Sequence, residues 1–278
     1  MNTHTIQLVR AVDVHAHLVS SEFSEDLDEV LERARKEKVM IITSSTSLNE
    51  VDATLALAEK EKTVFASIGF QPPLEFSEKA GVDAELVCDA IKKHFGKSGV
   101  VAVGEVGLDF AFMRNLSGEP AGRVKRLQEQ IFSSFVRTAS ELDAPIVTHS
   151  RSAGQHVIDF IDNWDESKRP ERVLMHAFDG KASSAVRASE KHGFLFSIPP
   201  SSSFSVQKQK LIERLPLDSL LLETDSPVLG PEPDKRNEPV NVLKSAEVIS
   251  RIKGSSLDEV LEKTTERALE FFSIKNNI

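Results

Sequence analysis

Residues able to hold a metal ion stand at the ends of this chain's apolar stretches. Asp13-Val14-His15-Ala16-His17 places two imidazoles two residues apart. On extended backbone, residues i and i+2 point the same way, so both rings can reach one cation; taken alone, such a pair is equally an ordinary solvent-facing strand end. Glu105 follows the apolar run VVAVG, between Gly104 and Gly107. A lone carboxylate buried there needs a partner. That partner is either a Lys or Arg, or a pair of cations, since two carboxylate oxygens can serve two ions held roughly 3.5–4 Å apart. The flanking glycines are expected to let substrate or metal approach the backbone closely.

His149 ends APIVTH and His176 ends RVLMH. One histidine in such a place is commonly a hydrogen-bonded core residue; two in successive runs could share a second ion. Asp225 follows SLLLET, with Glu223 two residues earlier on the same side. Asp225 could cap the turn before Pro227. As a ligand it could instead take a proton from a water whose pKa a cation lowers from 15.7 towards about 7. Arg151 and Arg236 are candidates to clamp phosphate oxygens through bidentate hydrogen bonds, set against the ordinary role of a solvated surface arginine. The other four of the eight histidines, His4, His94, His156 and His192, fall in the terminus or in expected helices and receive no chemistry.

The elements that must position these groups recur along the chain. Eight β-branched runs (LVRAVDV, VMIITSS, TVFASIG, VVAVGEV, APIVTHS, RVLMHAF, FLFSIPP, SLLLETD) alternate with helical periodicity, such as Leu27, Val30, Leu31 and Ala34 after a capping Ser24, or Ala84, Val87, Cys88 and Ile91 after Gly81. That alternation is the α/β pattern of parallel strands joined by crossover helices. The strands are apolar throughout, as expected when both faces are covered. Eight units, and no GxGxxG after the first, favour a closed (β/α)8 barrel over an open doubly wound sheet. In a barrel the strand C-termini converge on one mouth, where active sites lie; His15, His17, Glu105, His149, His176 and Asp225 all fall there. Long loops are expected from about Gly69 to Gly81 and from Pro227 to Asn237. Ser256 and Glu259 form a capping box for a last helix whose Val260, Leu261, Thr264, Ala268 and Phe271 share one face and should close the fold.

The 278 residues show no composition break, so a single domain spanning 1–278 is expected. A net charge of −9 argues against a broad basic face for duplex nucleic acid. Phosphate substrates stay open, because cations in a site add local positive charge. The single Cys88 allows no internal disulfide and has no CxxC context, which fits a reducing compartment. The stretch MNTHTIQLVRAVDV has neither signal-peptide nor transit-peptide pattern, and no apolar run is long enough to cross a bilayer. The expectation is a cytoplasmic protein, with the nucleus also compatible, that uses no membrane and is monomeric.

As an ordered group, DVHAHL, GEVGLDF, PIVTHSR, LMHAFDG, LLLETDSP and RNEP resemble the TatD family of metal-dependent deoxyribonucleases over nearly the whole chain. HAFDG, FSIPPS, QKQKL and ETDSPVLGP are most similar to its TatD-domain-containing 3 subgroup. The resemblance implies a TIM-type barrel of the metal-dependent hydrolase kind with two divalent cations, Zn²⁺, Mn²⁺ or Mg²⁺. The first would be held by His15, His17, Glu105 and Asp225, the second by Glu105, His149 and His176. Asp225 would double as catalytic acid or base, beside Glu105 in the catalytic pair. Family members act on DNA, commonly from a 3' end, so the implied substrate is DNA bound at ends or as a single strand, cleaved at phosphodiester bonds by metal-activated water. Ser150, Arg151 and Arg236 match positions near the scissile phosphate. Two departures stand out. The family's GxHP is here Gly69-Phe70-Gln71-Pro72, and Gln71 can hydrogen-bond phosphate or water but is a poor metal ligand. Arg267 stands where an Asn is common, and is expected to touch loop anchoring rather than chemistry. The alternatives are an amidohydrolase-like enzyme on the same barrel, acting on a small ester or amide, and a barrel that binds nucleic acid or a partner without catalysis. A carbonyl substrate has no use for phosphate-clamping arginines, and a non-catalytic barrel would be expected to have lost ligands.

Overall fold

A computed structural model describes residues 9–97 and 99–275. Its eight strands are β1 (Ala11–Ala16), β2 (Val39–Ser44), β3 (Val64–Ile68), β4 (Val100–Gly107), β5 (Ile146–His149), β6 (Val173–Met175), β7 (Leu195–Ile198) and β8 (Leu220–Leu222). They lie side by side in sequence order and each neighbouring pair is parallel. The seam between β8 and β1 is bridged just past the strand ends. There the Asp225 amide donates to the His15 carbonyl and the His17 amide to the Ser226 carbonyl, both at 2.8 Å. The expected (β/α)8 barrel is therefore the observed architecture.

Helices α1 (Leu27–Lys36), α2 (Leu48–Lys60), α3 (Glu78–His94), α4 (Gly118–Glu141), α5 (Gly154–Asp162), α6 (Ala182–His192), α7 (Val206–Arg214), α8 (Val242–Lys253) and α9 (Leu257–Phe271) follow the strands. Outward-facing Ile41, Val103, Ile146, Met175 and Phe196 share one apolar layer with helix residues such as Val87, Ile91, Phe132 and Phe135. Two local expectations are corrected. Ser24 does not cap α1: a 3₁₀ turn at Ser21–Phe23 comes first, and Asp26 holds the cap position without a capping bond, its carboxylate being engaged by Arg236. The loop expected to reach Gly81 ends at Ser77, whose hydroxyl accepts from the Ala80 amide at 3.3 Å and starts α3. Gly81 therefore sits inside a helix, since one glycine lowers helix propensity without ending a capped, half-buried helix. Ser256 does cap α9, accepting from the Glu259 amide at 3.1 Å. His94, His156 and His192 lie on α3, α5 and α6, while His4 lies outside the described residues.

Inside the barrel, Val12, Val14, Met40, Ile42, Ala102, Val147, Leu174, Leu195 and Leu221 form a second cluster, joined by Ala268, Leu269, Phe271 and Phe272 from the end of α9. The Thr265 hydroxyl donates to the carbonyl of Arg10, just before β1, and Arg172, just before β6, donates to the Phe271 carbonyl at 2.9 Å. The last helix thus stoppers the N-terminal end of the barrel. Each fully buried Leu or Phe there contributes about 1.5–3 kcal/mol of transfer free energy. Strand side chains alternate with period two. Two residues beyond Ile42, Val147, Leu174, Leu195 and Leu221 come Ser44, His149, His176, Ser197 and Glu223; the inward row turns polar towards the C-terminal ends. Among the described residues no helix is long and apolar enough to cross a membrane.

Candidate metal centre

The end of β1 is held by a buried carboxylate. Asp13 accepts from the Thr224 amide at 2.8 Å and hydroxyl at 2.6 Å, and from the His15 amide at 3.3 Å. It ties the HxH segment to the loop after β8. Burial lifts the Asp13 pKa well above the usual range, against the pull of the Thr224 and His15 hydrogen bonds. At the end of β4 the glycines answer a different need from the one expected. A Cβ on Gly104 (φ +142°) would lie 2.4 Å from the Val147 carbonyl oxygen, and one on Gly107 (φ +147°) 2.2 Å from that of His149. Both make room for β5, so close approach of the neighbouring strand rather than of substrate or metal accounts for them.

All six strand-end residues converge, and they divide around Glu105. Its Oε2 lies 3.4 Å from His15 Nε2 and 3.3 Å from His17 Nε2, while Asp225 Oδ1 lies 3.6 and 3.2 Å from the same two nitrogens. Its Oε1 lies 2.5 Å from His149 Nδ1 and 3.3 Å from His176 Nε2, and those two nitrogens are 3.4 Å apart. Ligands about 2.1 Å from a tetrahedral ion stand about 3.4 Å from one another. These spacings are those of metal cages, with the His149–Glu105 contact the one tighter edge, and Asp225 also groups with His15 and His176. His15 Nε2 and Glu105 Oε2 are also buried with no hydrogen-bond partner. Buried polar atoms are rarely left so, and these two face each other across one of the cages. The donors fit the binding of divalent cations.

For three of the four imidazoles the nitrogen that turns away from the cage is also met: His15 Nδ1 lies 3.2 Å from the Ser44 hydroxyl, His17 Nδ1 3.2 Å from the Ser44 carbonyl, and His149 Nε2 3.2 Å from Asp109 Oδ2. His176 Nδ1 is buried without a hydrogen-bond partner, 3.5 Å from Glu223 Oε2. Such partners fix tautomer and ring orientation in metal sites. Glu223 is itself held by the Ser197 hydroxyl at 2.6 Å and the Ala177 amide at 2.8 Å. Sequence reasoning missed Asp109 and Ser44 altogether. Asp109 lay within the GEVGLDF motif, a further carboxylate just past a strand end, so its position was available as a signal; Ser44 offered none.

Burial alone would drive Glu105 towards the neutral form, but the cationic His176 and His149 hold its pKa well below the ordinary value. Asp225 is likewise pulled down against burial, by its His17 hydrogen bond and by the surrounding imidazoles. Burial lowers His15. For His17 the same burial is outweighed by Asp225 and Glu105, which push it up to about 9. His149 and His176 are raised too, burial being overcome chiefly by Glu105. Asp225 adopts φ +54°, a left-handed conformation that Asp tolerates better than most residues and that recurs at functional sites.

These groups open into a cavity of about 980 Å³ whose wall includes Gln71, Ser150 and Arg151. Ser150 Oγ is buried without a partner, and Gln71 Nε2 lies 3.4 Å from Glu105 Oε1. Arg236 is not among this wall's residues. Its guanidinium donates to both Asp26 oxygens, at 2.7 and 2.5 Å, and to the Glu22 carbonyl, and it borders a neighbouring cavity. Arg267 pairs with Glu270 on the exposed side of α9, away from any loop of the site.

Residues 12–273 match the family model described as TatD related DNase. The chain is 40% identical over 271 residues to deoxyribonuclease TATDN3 of Homo sapiens, covering 95% of each chain. It is 30% identical over 274 residues to the 3'-5' ssDNA/RNA exonuclease TatD of Erwinia amylovora, covering 94% of this chain and 99% of that one. Among solved structures, the TatD homologue YjjV of Escherichia coli superposes with a TM-score of 0.82 at 25% identity, covering 98% of this chain and all of the other.

Proposed function

The chain belongs to the TatD-related DNase family, and from that premise we propose that it hydrolyses phosphodiester bonds in DNA from the 3' end of single-stranded or frayed substrate, using two divalent cations. One observation carries the two-cation reading. Each oxygen of Glu105 faces its own pair of imidazoles, Oε2 towards His15 and His17, which Asp225 Oδ1 also meets, and Oε1 towards His149 and His176. The donors suit Zn²⁺ and Mn²⁺; Mg²⁺ accepts fewer imidazoles. Bound there, the cations would lower the pKa of a water and offset phosphate charge.

The remaining steps fall to the chain's own side chains. Asp225, kept ionised by the His17 hydrogen bond and the surrounding imidazoles, takes the proton of the attacking water as its oxygen bonds to phosphorus and returns it to the departing alkoxide as the P–O bond breaks. Ser150, Arg151 and Gln71 on the wall offer hydroxyl, guanidinium and amide donors to the non-bridging oxygens. Arg236 could join them only by leaving Asp26. The ester or amide alternative is disfavoured by the family relation. We further read the protein as a monomer whose domain spans 1–278, working in the cytoplasm or nucleus; the free thiol of Cys88 supports the compartment alone.

The test is a Mg²⁺, Mn²⁺ and Zn²⁺ screen against 5'- and 3'-labelled single-stranded oligonucleotides. Stepwise shortening from the 3' end, lost in Glu105→Ala, is the expected result. No cleavage with any metal, or full activity in Glu105→Ala, would contradict the reading.

A further inference from the structure

Lys208, on α7, carries a buried cation in the cavity wall, although neither strand-end position nor spacing singles it out. It is 9% exposed. Its Nζ donates to the carbonyls of Ala177 at 2.5 Å and Phe178 at 2.7 Å, and among the described residues no carboxylate is in ion-pair contact with it. An ammonium has three N–H groups, so one donor is left over, on a residue that shares a cavity with His149, His176 and Asp225. Burying a cation without a counter-charge is costly, and two carbonyls compensate only in part. Burial accordingly depresses the Lys208 pKa, while the carboxylates of Glu223, Asp179 and Asp225 oppose it from further away. Arg236, by contrast, has its charge already answered by Asp26.

Lys208 also lines a second cavity, of about 590 Å³, beside the first, and the residues common to both walls are Lys208, Pro227, Val228 and Leu229. That partition is pinned: Asn237 Nδ2 donates to the carbonyls of Thr224 and Val228 at 2.8 Å, and the Ser201 backbone amide to that of Leu229 at 3.0 Å. Resting on the DNA-hydrolase reading above, we propose that Lys208 binds a backbone phosphate of the substrate strand where the strand passes from the metal cavity into the second one. The phosphate supplies the missing counter-charge and accepts the spare N–H.

The experiment compares Lys208→Gln, which keeps amide donors for the two carbonyls but drops the charge, with Lys208→Arg, which keeps the charge. Binding of a fluorescent single-stranded oligonucleotide, protected by phosphorothioate linkages, is followed by anisotropy on the metal-loaded protein over a salt series. Lys208→Gln should weaken binding about tenfold at low salt. It should also flatten the slope of log affinity against log salt by about 0.7, the share of one single-strand phosphate contact. Bound metal should be unchanged, and Lys208→Arg should keep the parent slope. An unchanged slope in Lys208→Gln, whatever its affinity, overturns the proposal, because a structural prop would not alter the salt dependence. So does weakened binding that tracks lost metal. Should Lys208→Gln not fold, the unsubstituted protein decides: its Lys208 ¹⁵Nζ resonance should shift with oligonucleotide and not with chloride, and no shift overturns the proposal. If the unsubstituted protein binds no oligonucleotide at all, the DNA reading itself falls; if it binds and Lys208→Gln keeps the parent slope, the Lys208 proposal falls alone.

Discussion

The two ends of the barrel are made by the same strands and treat polarity in opposite ways. At the N-terminal end, Leu269, Phe271 and Phe272 of α9 seal an apolar interior. Further along the strands, towards their C-terminal ends, the interior holds His15, Glu105, His176 and Asp225, with His15 Nε2 and Glu105 Oε2 left without partners. The stopper stabilises the fold outright, whereas the mouth carries buried charge that repays its cost only when a ligand arrives. Stability and chemistry are thus separated along each strand, and substitutions at the two ends should report on different quantities.

The largest expected effect is at the mouth. Glu105→Gln replaces one bridging oxygen by an N–H and should lower turnover on the order of 10⁴-fold, several kcal/mol of transition-state stabilisation, with the fold retained by circular dichroism. A variant that loses its fold instead would blur the separation. Phe271→Ala at the stopper should cost about 3–5 kcal/mol in denaturant unfolding while turnover per folded molecule stays unchanged. A drop in turnover under folding conditions would show that the two ends are coupled.

Three smaller effects sharpen the description of the mouth. Asp109→Asn, which weakens the partner of His149 Nε2, should reduce metal affinity about 10–100-fold in a competition titration. The metal-free protein keeps His17 protonated up to about 9, so loading at pH 7 must expel that proton. Affinity should therefore climb about tenfold per pH unit for each proton displaced, with the His17 contribution ending above about 9. Calorimetry in buffers of different ionisation heat would read the released protons, and a flat profile would contradict the sign. Arg236→Ala should leave KM for an oligonucleotide within about threefold, since its charge is spent on a surface pair with Asp26. A larger rise than in Arg151→Ala would mean that Arg236 swings to the substrate.

The barrel was legible because eight apolar runs alternated with helical periodicity, and the six converging residues were legible because each stood at the end of such a run. What surrounds them was not. Ser44 of β2 meets His15 and His17, and Asp13 meets Thr224 across the barrel seam, contacts between residues 29, 27 and 211 positions apart that no local pattern encodes. Gly104 and Gly107 were read as an opening for substrate because sequence shows that a side chain is missing and not what fills the space. Lys208 stood in the QKQKL stretch, which bore only on the subgroup resemblance, and a lysine there reads as solvated surface until the fold turns it inward. Arg236 shows the reverse case: its type suited phosphate, and its neighbour Asp26 could not be foreseen.

The central claim, that Glu105 bridges two cations at the strand ends, is tested most directly by anomalous diffraction from crystals loaded with Mn²⁺. The account predicts two peaks on either side of Glu105, one within bonding range of His15, His17 and Asp225 and the other of His149 and His176. A single peak, or two peaks of which either lies beyond reach of the Glu105 carboxylate, would contradict it.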